Sequence, residues 1–325
     1  MKFNLEYIPI VSSACNILSS CFANRQRIIA VDHLTLHTID PNDWDIVFVL
    51  CAETTFKIRN DLDRLGDKAV LLYTSNELGL EKYTKFFFPF WLFCVEEANR
   101  RNISTGNFNY SPNYVYNALL GRAKDPRTSL LEKLDDKNLL DRGIISYHSG
   151  AHYGPALKKD PTPYFSNVWK WENEEIRNIF LTDLNYLVKM DSTTRAPNGH
   201  FLSCLLPWKI YNDSLISVVS ETDHYGSHTF VTEKTWKPMI AGHPFLFHAT
   251  ADHENFLENL GFEMYLKTYG DVKKIASVVN DIANGGYKSY TFKDWNEIAV
   301  HNRSVANPDR WKSKLHYWLL ENFVY

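Results

Sequence analysis

The residues whose types and spacing best suit chemistry in this sequence lie between Glu221 and Lys234. Glu221 ends the apolar run LISVVSE, which predicts a buried strand, and a polar stretch leads from it to Thr232, Glu233 and Lys234. Threonine is a favoured N-cap, so a helix is predicted to start here, where unpaired amide protons and the helix dipole attract phosphate. Lys234 adds a positive charge, and a carboxylate in the same turn can accept hydrogen bonds from the hydroxyls of a ribose.

The same residue types also begin many helices that bind no ligand. Thr232 would then be an ordinary N-cap and Glu233 an ordinary first-turn acid, and spacing alone favours this interpretation. The longer stretch ETDHYGSHTFVTEKTWKPMIAGHPF, residues 221 to 245, favours a binding site instead. It resembles the donor-binding motif of the α1,3-fucosyltransferase family, in which an acid after a strand is followed by Thr-Glu-Lys, a helix, Ala-Gly-x-Pro and a hydrophobic strand. It is also similar to glycosyltransferase-like proteins of large DNA phages.

A second stretch, residues 117 to 147, resembles the strand, basic loop and helix that open the donor domain in the same proteins. In that family an arginine near the helix start contacts the diphosphate of the nucleotide-sugar. Arg127 matches its position best and Arg122 second. A guanidinium suits this role because it grips phosphate oxygens in two places and keeps its charge, although either arginine alone would be read as a solvated loop residue.

The resemblance implies a role for each matching residue. Glu233 would hold the ribose, Lys234 and Arg127 would neutralise the diphosphate, and Glu221 would lie near the ribose or the sugar. Stabilising the charge that develops on a departing nucleoside diphosphate is electrostatic catalysis, and it needs no metal. The resemblance therefore implies transfer of a sugar from a nucleoside-diphosphate sugar to a hydroxyl, with inversion and with neither metal nor other cofactor.

Two positions depart from the family pattern. The chain has Phe230 where fucosyltransferases usually have tyrosine, which removes one hydroxyl from the donor site. Pro238 stands where their helix has asparagine, and it is expected to bend or shorten the helix. Both departures argue against copying GDP-fucose as the donor.

The general base of an inverting transferase must reach the acceptor hydroxyl from the other side of the site. Glu53 after DIVFVLC and Glu77 after AVLLYT rank first, and Asp32 after RIIAV is a further candidate. Each of these positions also suits a cap or a loop residue. Contacts with the donor sugar are assigned to His148, His152, His224 and Tyr225, with a structural role equally open for the first two.

The rhythm of the first third, with short apolar runs between helix-like stretches, predicts a parallel sheet in an α/β unit. A stretch rich in Asn, Ser, Gly and Pro at 102 to 113 predicts a domain boundary. The predicted fold is α/β of the GT-B type, with two Rossmann-like domains facing each other across a cleft. Residues 1–106 would form the acceptor domain and residues 107–325 the donor domain, with the last helix packing back on the first.

Composition and charge limit the classes of protein to which this chain can belong. Hydrophobic residues make up 45% and charged residues 22% of the 325 positions, which is normal for a globular protein, and the net charge of -3 gives no global attraction to nucleic acid. The five cysteines are spaced like reduced core cysteines, and no apolar run reaches the roughly 18 residues of a membrane span. We therefore expect a cytoplasmic protein without a membrane partner, in the host cytoplasm if it is phage-encoded.

Other signals for chemistry are weaker. Asp61-Leu62-Asp63 has the Asp-x-Asp spacing of metal-dependent transferases, but it lies in a helical pattern with arginines nearby and is read as a solvated face. The acceptor stays open between a glycan and a hydroxymethylated base of phage DNA. The competing class is a non-catalytic nucleotide- or glycan-binding module of the same fold.

Overall fold

The computed structural model describes most of the chain. The described residues are 1–5, 8–22, 24–52, 58–76, 79–99, 112–122, 125–148, 165–166, 204, 206, 208–221, 228–286 and 292–323.

The first half of the chain contains both strands and α-helices in its described part. They are β1 (Lys2–Asn4), α1 (Ile8–Phe22), β2 (Ile28–Asp32), β3 (Ile46–Cys51), α2 (Arg59–Leu65), β4 (Ala69–Tyr73), β5 (Ser75–Asn76), β6 (Thr84–Phe87) and α3 (Phe90–Asn99). The second half contains β7 (Tyr114–Arg122), α4 (Asp125–Asp135), β8 (Gly143–His148), β9 (Phe165–Ser166), α5 (Trp208–Asn212), β10 (Ser214–Ser220), β11 (Thr229–Phe230), α6 (Glu233–Ala241), β12 (Phe245–His248), α7 (Asp252–Asn259), α8 (Val272–Ala283), α9 (Phe292–Val305) and α10 (Pro308–Phe323).

The first sheet has the order β1-β2-β3-β4-β6, and all its neighbouring strands are parallel. Every residue of β2 and β4 is buried, as expected for strands that are covered on both faces. The apolar runs RIIAV, DIVFVLC and AVLLYT are β2, β3 and β4, so these predictions are confirmed. These strands follow one another across the sheet in the same order as along the chain. The described part of this sheet therefore has no topological switch point.

The second sheet has the order β12-β10-β7-β8-β9, parallel except for β9, which pairs antiparallel with β8. The chain starts in the middle at β7, moves outward to β8 and β9, and then returns to build β10 and β12 on the other side. This is the doubly wound order, and it places a topological switch point between β7 and β10. The predicted α/β class is confirmed, with a Rossmann-like order in this sheet.

Two helices add to what the sequence analysis describes. The helix α1, for which it makes no prediction, buries Val11, Ala14, Leu18 and Phe22 on one face. The apolar spacing of α4 continues in the sequence to Leu139 and Leu140, but the helix ends at Asp135. Asn138 has a φ of 54°, and the amide of Leu139 donates to the carbonyl of Leu134, so a left-handed turn ends the helix.

Contacts between the two halves are extensive. The last helix α10 lies against α1 and α3 of the first half. The ring of Trp318 lies 5.2 Å from that of Phe86, and the ring of Phe323 lies 5.7 Å from that of Phe48. A two-stranded antiparallel ladder pairs β5 of the first half with β11 of the second. One hydrophobic cluster contains residues of both large sheets.

Two findings concern membrane spans and metal-binding groups. In the described part of the chain, no helix is long and apolar enough to cross a membrane. The same part contains no group of three His, Cys, Asp or Glu side chains that could hold a metal ion. Within α2, Asp61 pairs with Arg64, and Asp63 pairs with Lys82, so both acids of the Asp-x-Asp sequence take part in ion pairs on a helix.

Candidate active site

Glu221 immediately follows β10, at the carboxyl edge of the switch point. Its side chain is fully buried. One carboxylate oxygen accepts from the amide of Thr232 at 3.0 Å and from the hydroxyl of Thr235 at 2.5 Å, and the other accepts from the hydroxyl of Thr232 at 2.6 Å. A buried carboxylate needs such donors. Glu221 therefore fastens the start of α6 to the end of β10.

Thr232 is the N-cap of α6, as the sequence predicts. Its hydroxyl oxygen accepts from the amide of Lys234 at 3.4 Å and lies 3.3 Å from the ammonium nitrogen of the same residue. The ammonium also donates to the Glu233 carboxylate at 3.0 Å. The Thr-Glu-Lys sequence thus forms a compact charged turn at the positive end of a helix dipole.

The charge state of this turn follows from burial and from two lysines. Burial of Glu233 by itself raises the pKa of its carboxyl, but the charges of Lys234 and Lys237 and the hydrogen bond from Lys234 outweigh it, so the pKa lies below its ordinary value. Burial lowers the pKa of Lys237, and the charge of Glu233 partly offsets this. Glu233 is therefore ionised at neutral pH, and its charge acts on both Lys234 and Lys237.

Arg127 comes to the same strand end from far upstream. It lies near the start of α4, immediately after β7, and is 3% exposed. One guanidinium nitrogen donates to the carbonyl of Glu221 at 3.1 Å and to that of Ser220 at 3.4 Å. The structure thus brings Arg127 together with Glu221, Thr232, Glu233 and Lys234, although Arg127 is about a hundred positions away from these four in the chain.

A pocket opens between β7, β10 and α6 beside this turn. None of the described residues that line it is acidic. The polar residues among its described lining are Asn117, Tyr211, Ser217, Ser220, Lys234 and Lys237. Lys237 did not stand out in the sequence analysis, although its position three residues after Lys234 places both on one face of a helix.

Asn117 and Ser217 of the lining belong to a buried polar network that sequence reasoning missed. The amide of Asn117 donates to the hydroxyls of Ser214 and Ser217, both at 2.8 Å. His243 Nε2 donates to the carbonyl of Ser214 at 2.9 Å, which leaves Nδ1 to accept from Ser217 at 3.0 Å. Burial lowers the pKa of His243 to about 4, so the ring is neutral. The ring of Tyr211 stacks on it at 4.8 Å.

Phe230 has a position that its sequence context did not reveal. It lies in β11, where it pairs with Ser75 of β5, and its side chain is buried. The hydroxyl of Thr74 donates to the carbonyl of Val231 at 3.4 Å. The segment that leads into the charged turn is therefore attached to the carboxyl end of β4 in the first half.

The remaining candidates from the sequence analysis have less structural support. Arg122 and His148 are the last residues of β7 and β8 and are paired in register. Asp32 accepts hydrogen bonds from the amides of Leu34 and Thr35 and from the hydroxyl of Thr35, so it stabilises the turn after β2. The other candidates lie outside the described residues: Glu53, Glu77, His152, His224 and Tyr225.

Comparison with protein-family models and with curated protein sequences finds no match. No protein-family model matches the chain, and no curated protein sequence is significantly similar to it. A function must therefore be argued from the motif and from the geometry of the site.

Proposed function

We propose that this protein is a glycosyltransferase that moves a sugar from a nucleoside-diphosphate sugar to a hydroxyl acceptor. The observation that carries the proposal is the charged turn at the start of α6, where Glu233 and Lys234 lie 3.0 Å apart beside the switch point of a doubly wound sheet. Ligands of such sheets bind at the carboxyl ends of the strands that flank the switch point. The turn combines an anion-attracting helix start with a carboxylate that suits ribose hydroxyls.

The reaction uses these groups as the charge of the leaving group develops. The acceptor oxygen bonds to the anomeric carbon while the bond from that carbon to the diphosphate oxygen breaks. The acceptor proton passes to a base of the first half, for which Glu53 and Glu77 are the candidates, and the displacement inverts the sugar carbon. Lys234, aided by the helix dipole, stabilises the departing diphosphate, while Glu233 holds the ribose.

The family resemblance places Arg127 at the diphosphate and Glu221 near the ribose or the sugar, but their contacts favour a role in positioning the charged turn. Both side chains are buried and hydrogen-bonded to the strand end or to the helix start. We therefore assign them to holding the charged turn in place. Arg127 adds a positive charge close to the diphosphate, and Glu221 lies behind the ribose site.

The experiment is a thermal-shift screen with UDP, GDP, CMP and dTDP, followed by transfer assays with the matching nucleotide-sugars. At least one nucleotide should raise the melting temperature, since a ligand that binds only the folded state stabilises it. Lys234→Ala should abolish both the shift and the transfer. Lys273→Ala is the matched control, because Lys273 is also the second residue of a helix, α8, and is exposed. No shift with any nucleotide would refute the proposal.

Two outcomes separate the remaining alternatives. Nucleotide binding without turnover on any acceptor would favour a non-catalytic binding module. A DNA acceptor would show binding that weakens steeply as salt increases, because Lys and Arg contacts with phosphates release counterions. A glycan acceptor would show little dependence on salt.

A further inference from the structure

Tyr269 has a backbone conformation that is unusual for its residue type. Its φ is 53°, in the left-handed region that bulky side chains rarely adopt. Such a conformation raises the free energy of the folded state, and it persists only where the surrounding contacts impose it. The ring of Tyr269 is nevertheless 47% exposed, so burial of the side chain does not account for the conformation.

Contacts of the backbone on both sides of Tyr269 impose its conformation. The buried carboxylate of Glu254 accepts from the amide of Thr268 at 2.8 Å and from that of Tyr269 at 3.0 Å. The hydroxyl of Thr268 donates to a carbonyl of β12 at 2.8 Å. On the other side, Gly270 approaches β12 so closely that a Cβ there would clash with the carbonyl of Ala249. The turn therefore fixes an exposed aromatic ring beside the carboxyl end of β12.

The carboxyl end of β12 is next to the charged turn. The strands β10 and β12 are paired in register up to Ser220 and His248, and the amide of Glu221 donates to the carbonyl of His248 at 3.1 Å. Neighbouring strands of a sheet lie about 4.8 Å apart. A ligand whose diphosphate lies at the start of α6 can therefore extend across the strand ends to β12.

The same strand end has buried polar groups that lack partners. In the described part of the chain, the hydroxyl of Thr250 and both ring nitrogens of His253 make no hydrogen bond. Burial lowers the pKa of His253 to about 4, against the opposing charge of Glu221, so the ring is neutral and has one donor and one acceptor. Unsatisfied groups of this kind indicate a bound molecule, water included.

An exposed ring at this edge suits a planar ligand. Aromatic side chains stack on any nucleobase, since every base has a π face. The ammonium of Lys274 lies 5.0 Å from the centre of the Tyr269 ring, and Lys274 is exposed. Cation–π contacts at exposed sites are weak, so this contact does not prevent a base from stacking.

We infer that Tyr269 is the stacking residue of a nucleobase subsite at the carboxyl end of β12, and that Glu254 and Gly270 hold its ring in position. The inference rests on the proposed function for the identity of the ligand, a nucleoside diphosphate whose phosphates lie at the charged turn. The residues assigned above bind the ribose, the diphosphate or the sugar, so this subsite adds recognition of the base.

The test is calorimetric titration of the full chain with UDP, GDP and dTDP. Tyr269→Asn removes the ring and suits the positive φ, because asparagine adopts the left-handed region more readily than tyrosine. This variant should bind the best of these nucleotides about fivefold more weakly or worse, as expected for the loss of one base–aromatic stack. Its melting temperature should stay the same or rise, because the strain is relieved.

Two further variants serve as controls. Tyr269→Phe keeps the ring and should bind within about twofold of the wild type. Tyr317→Asn removes a ring that is 66% exposed on α10, and it should change the affinity less than about twofold. Folding is checked by circular dichroism, and Tyr269→Gly replaces Tyr269→Asn if the latter fails to fold.

Unchanged nucleotide binding by Tyr269→Asn would overturn the inference and leave the proposed function standing. Equal weakening in Tyr269→Phe would also overturn it, since the effect would then not come from stacking. A wild type that binds none of the three nucleotides would refute both proposals. Binding that depends on Tyr269 but leads to no transfer on any acceptor would support the inference and refute the proposed catalysis.

Discussion

Glu221 and Arg127 hold the end of β10 and the start of α6 together. The carboxylate of Glu221 accepts three hydrogen bonds from Thr232 and Thr235, and the guanidinium of Arg127 donates to two carbonyls at the strand end. A binding motif can include residues that contact the ligand and also residues that hold the ligand-binding turn in place. Their burial favours the second role.

Replacing Glu221 should therefore cost stability before it costs binding. Glu221→Ala leaves three buried donors of Thr232 and Thr235 without their acceptor, and we expect the free energy of unfolding to fall by about 3 kcal/mol. The measurement is urea denaturation, with Glu258→Ala as the control, because Glu258 lies in a more exposed ion pair. A loss below about 1 kcal/mol would contradict the capping role.

His243 should make stability depend on pH. Its folded pKa of about 4 lies below the ordinary 6.5, so the unfolded chain binds a proton that the folded protein does not. Stability is then complete above pH 6.5 and falls by about 3 kcal/mol as the pH drops to 4. His253, whose pKa is also lowered to about 4, adds a similar loss.

His243→Gln should flatten this profile, measured as the free energy of unfolding between pH 4 and 6.5. His301→Gln is the control for removing a histidine from the surface, because its side chain is 41% exposed. An equal slope in wild type and His243→Gln would show that His243 is not buried in its neutral form.

The helices α6 and α7 differ in the hydrogen bonds at their first turns. Thr232 caps the start of α6 and is hydrogen-bonded to Glu221. The helix continues past Pro238 and ends at Ala241, before Gly242 with a φ of 69°. Pro238 is thus accommodated in a nine-residue helix that it does not terminate. The first turn of α7 instead supplies Glu254, whose carboxylate accepts from the amides of Thr268 and Tyr269.

The turn that Glu254 holds depends on Gly270. This glycine has a φ of 71°, and a Cβ there would lie 2.0 Å from the carbonyl oxygen of Ala249. Gly270→Ala should therefore lower the free energy of unfolding by about 3 kcal/mol or more. The added Cβ would displace the backbone at Ala249, and alanine is also strained at this positive φ.

Gly285→Ala is the matched control for this prediction. Gly285 has a φ of 86°, but a Cβ there would meet open space. We expect a loss of about 1 kcal/mol from the left-handed conformation alone. Thermal unfolding followed by circular dichroism compares the two variants, and equal losses would show that the close approach to Ala249 is unimportant.

On the scale of the whole molecule, the two large sheets share one hydrophobic cluster and are joined by α10 and the β5–β11 ladder. Trp311 of α10 is 2% exposed, its ring lies 5.7 Å from that of Phe87, and its indole donates to the carbonyl of Val305. The last helix is therefore part of the core that covers the first sheet.

We expect the two halves to unfold together. Trp311→Ala should lower the free energy of unfolding by about 4 kcal/mol, and tryptophan fluorescence and circular dichroism should report one coincident transition in urea. Tyr317→Ala, on the same helix but 66% exposed, should have little effect. Two separate transitions in the wild type would show that the halves fold independently.

The sequence by itself determined the local features of this protein. Buried strands such as β3 and β4 are continuous apolar runs, and Thr232 is an N-cap because its side chain and its neighbours favour one locally. These features depend on interactions within a few residues. The end of α4 is not evident from its apolar spacing, which continues to Leu139 and Leu140, because a left-handed turn at Asn138 competes with helix propensity.

Only the tertiary structure decided which of these residues meet. The doubly wound strand order places Arg127 beside Glu221, and the fold of α6 onto the sheet turns Lys237 toward the same pocket as Lys234. The burial that gives Glu221 three donors and makes His243 neutral is likewise a property of the packed chain. Strand order and burial arise from contacts between distant segments, which local patterns of residue types do not contain.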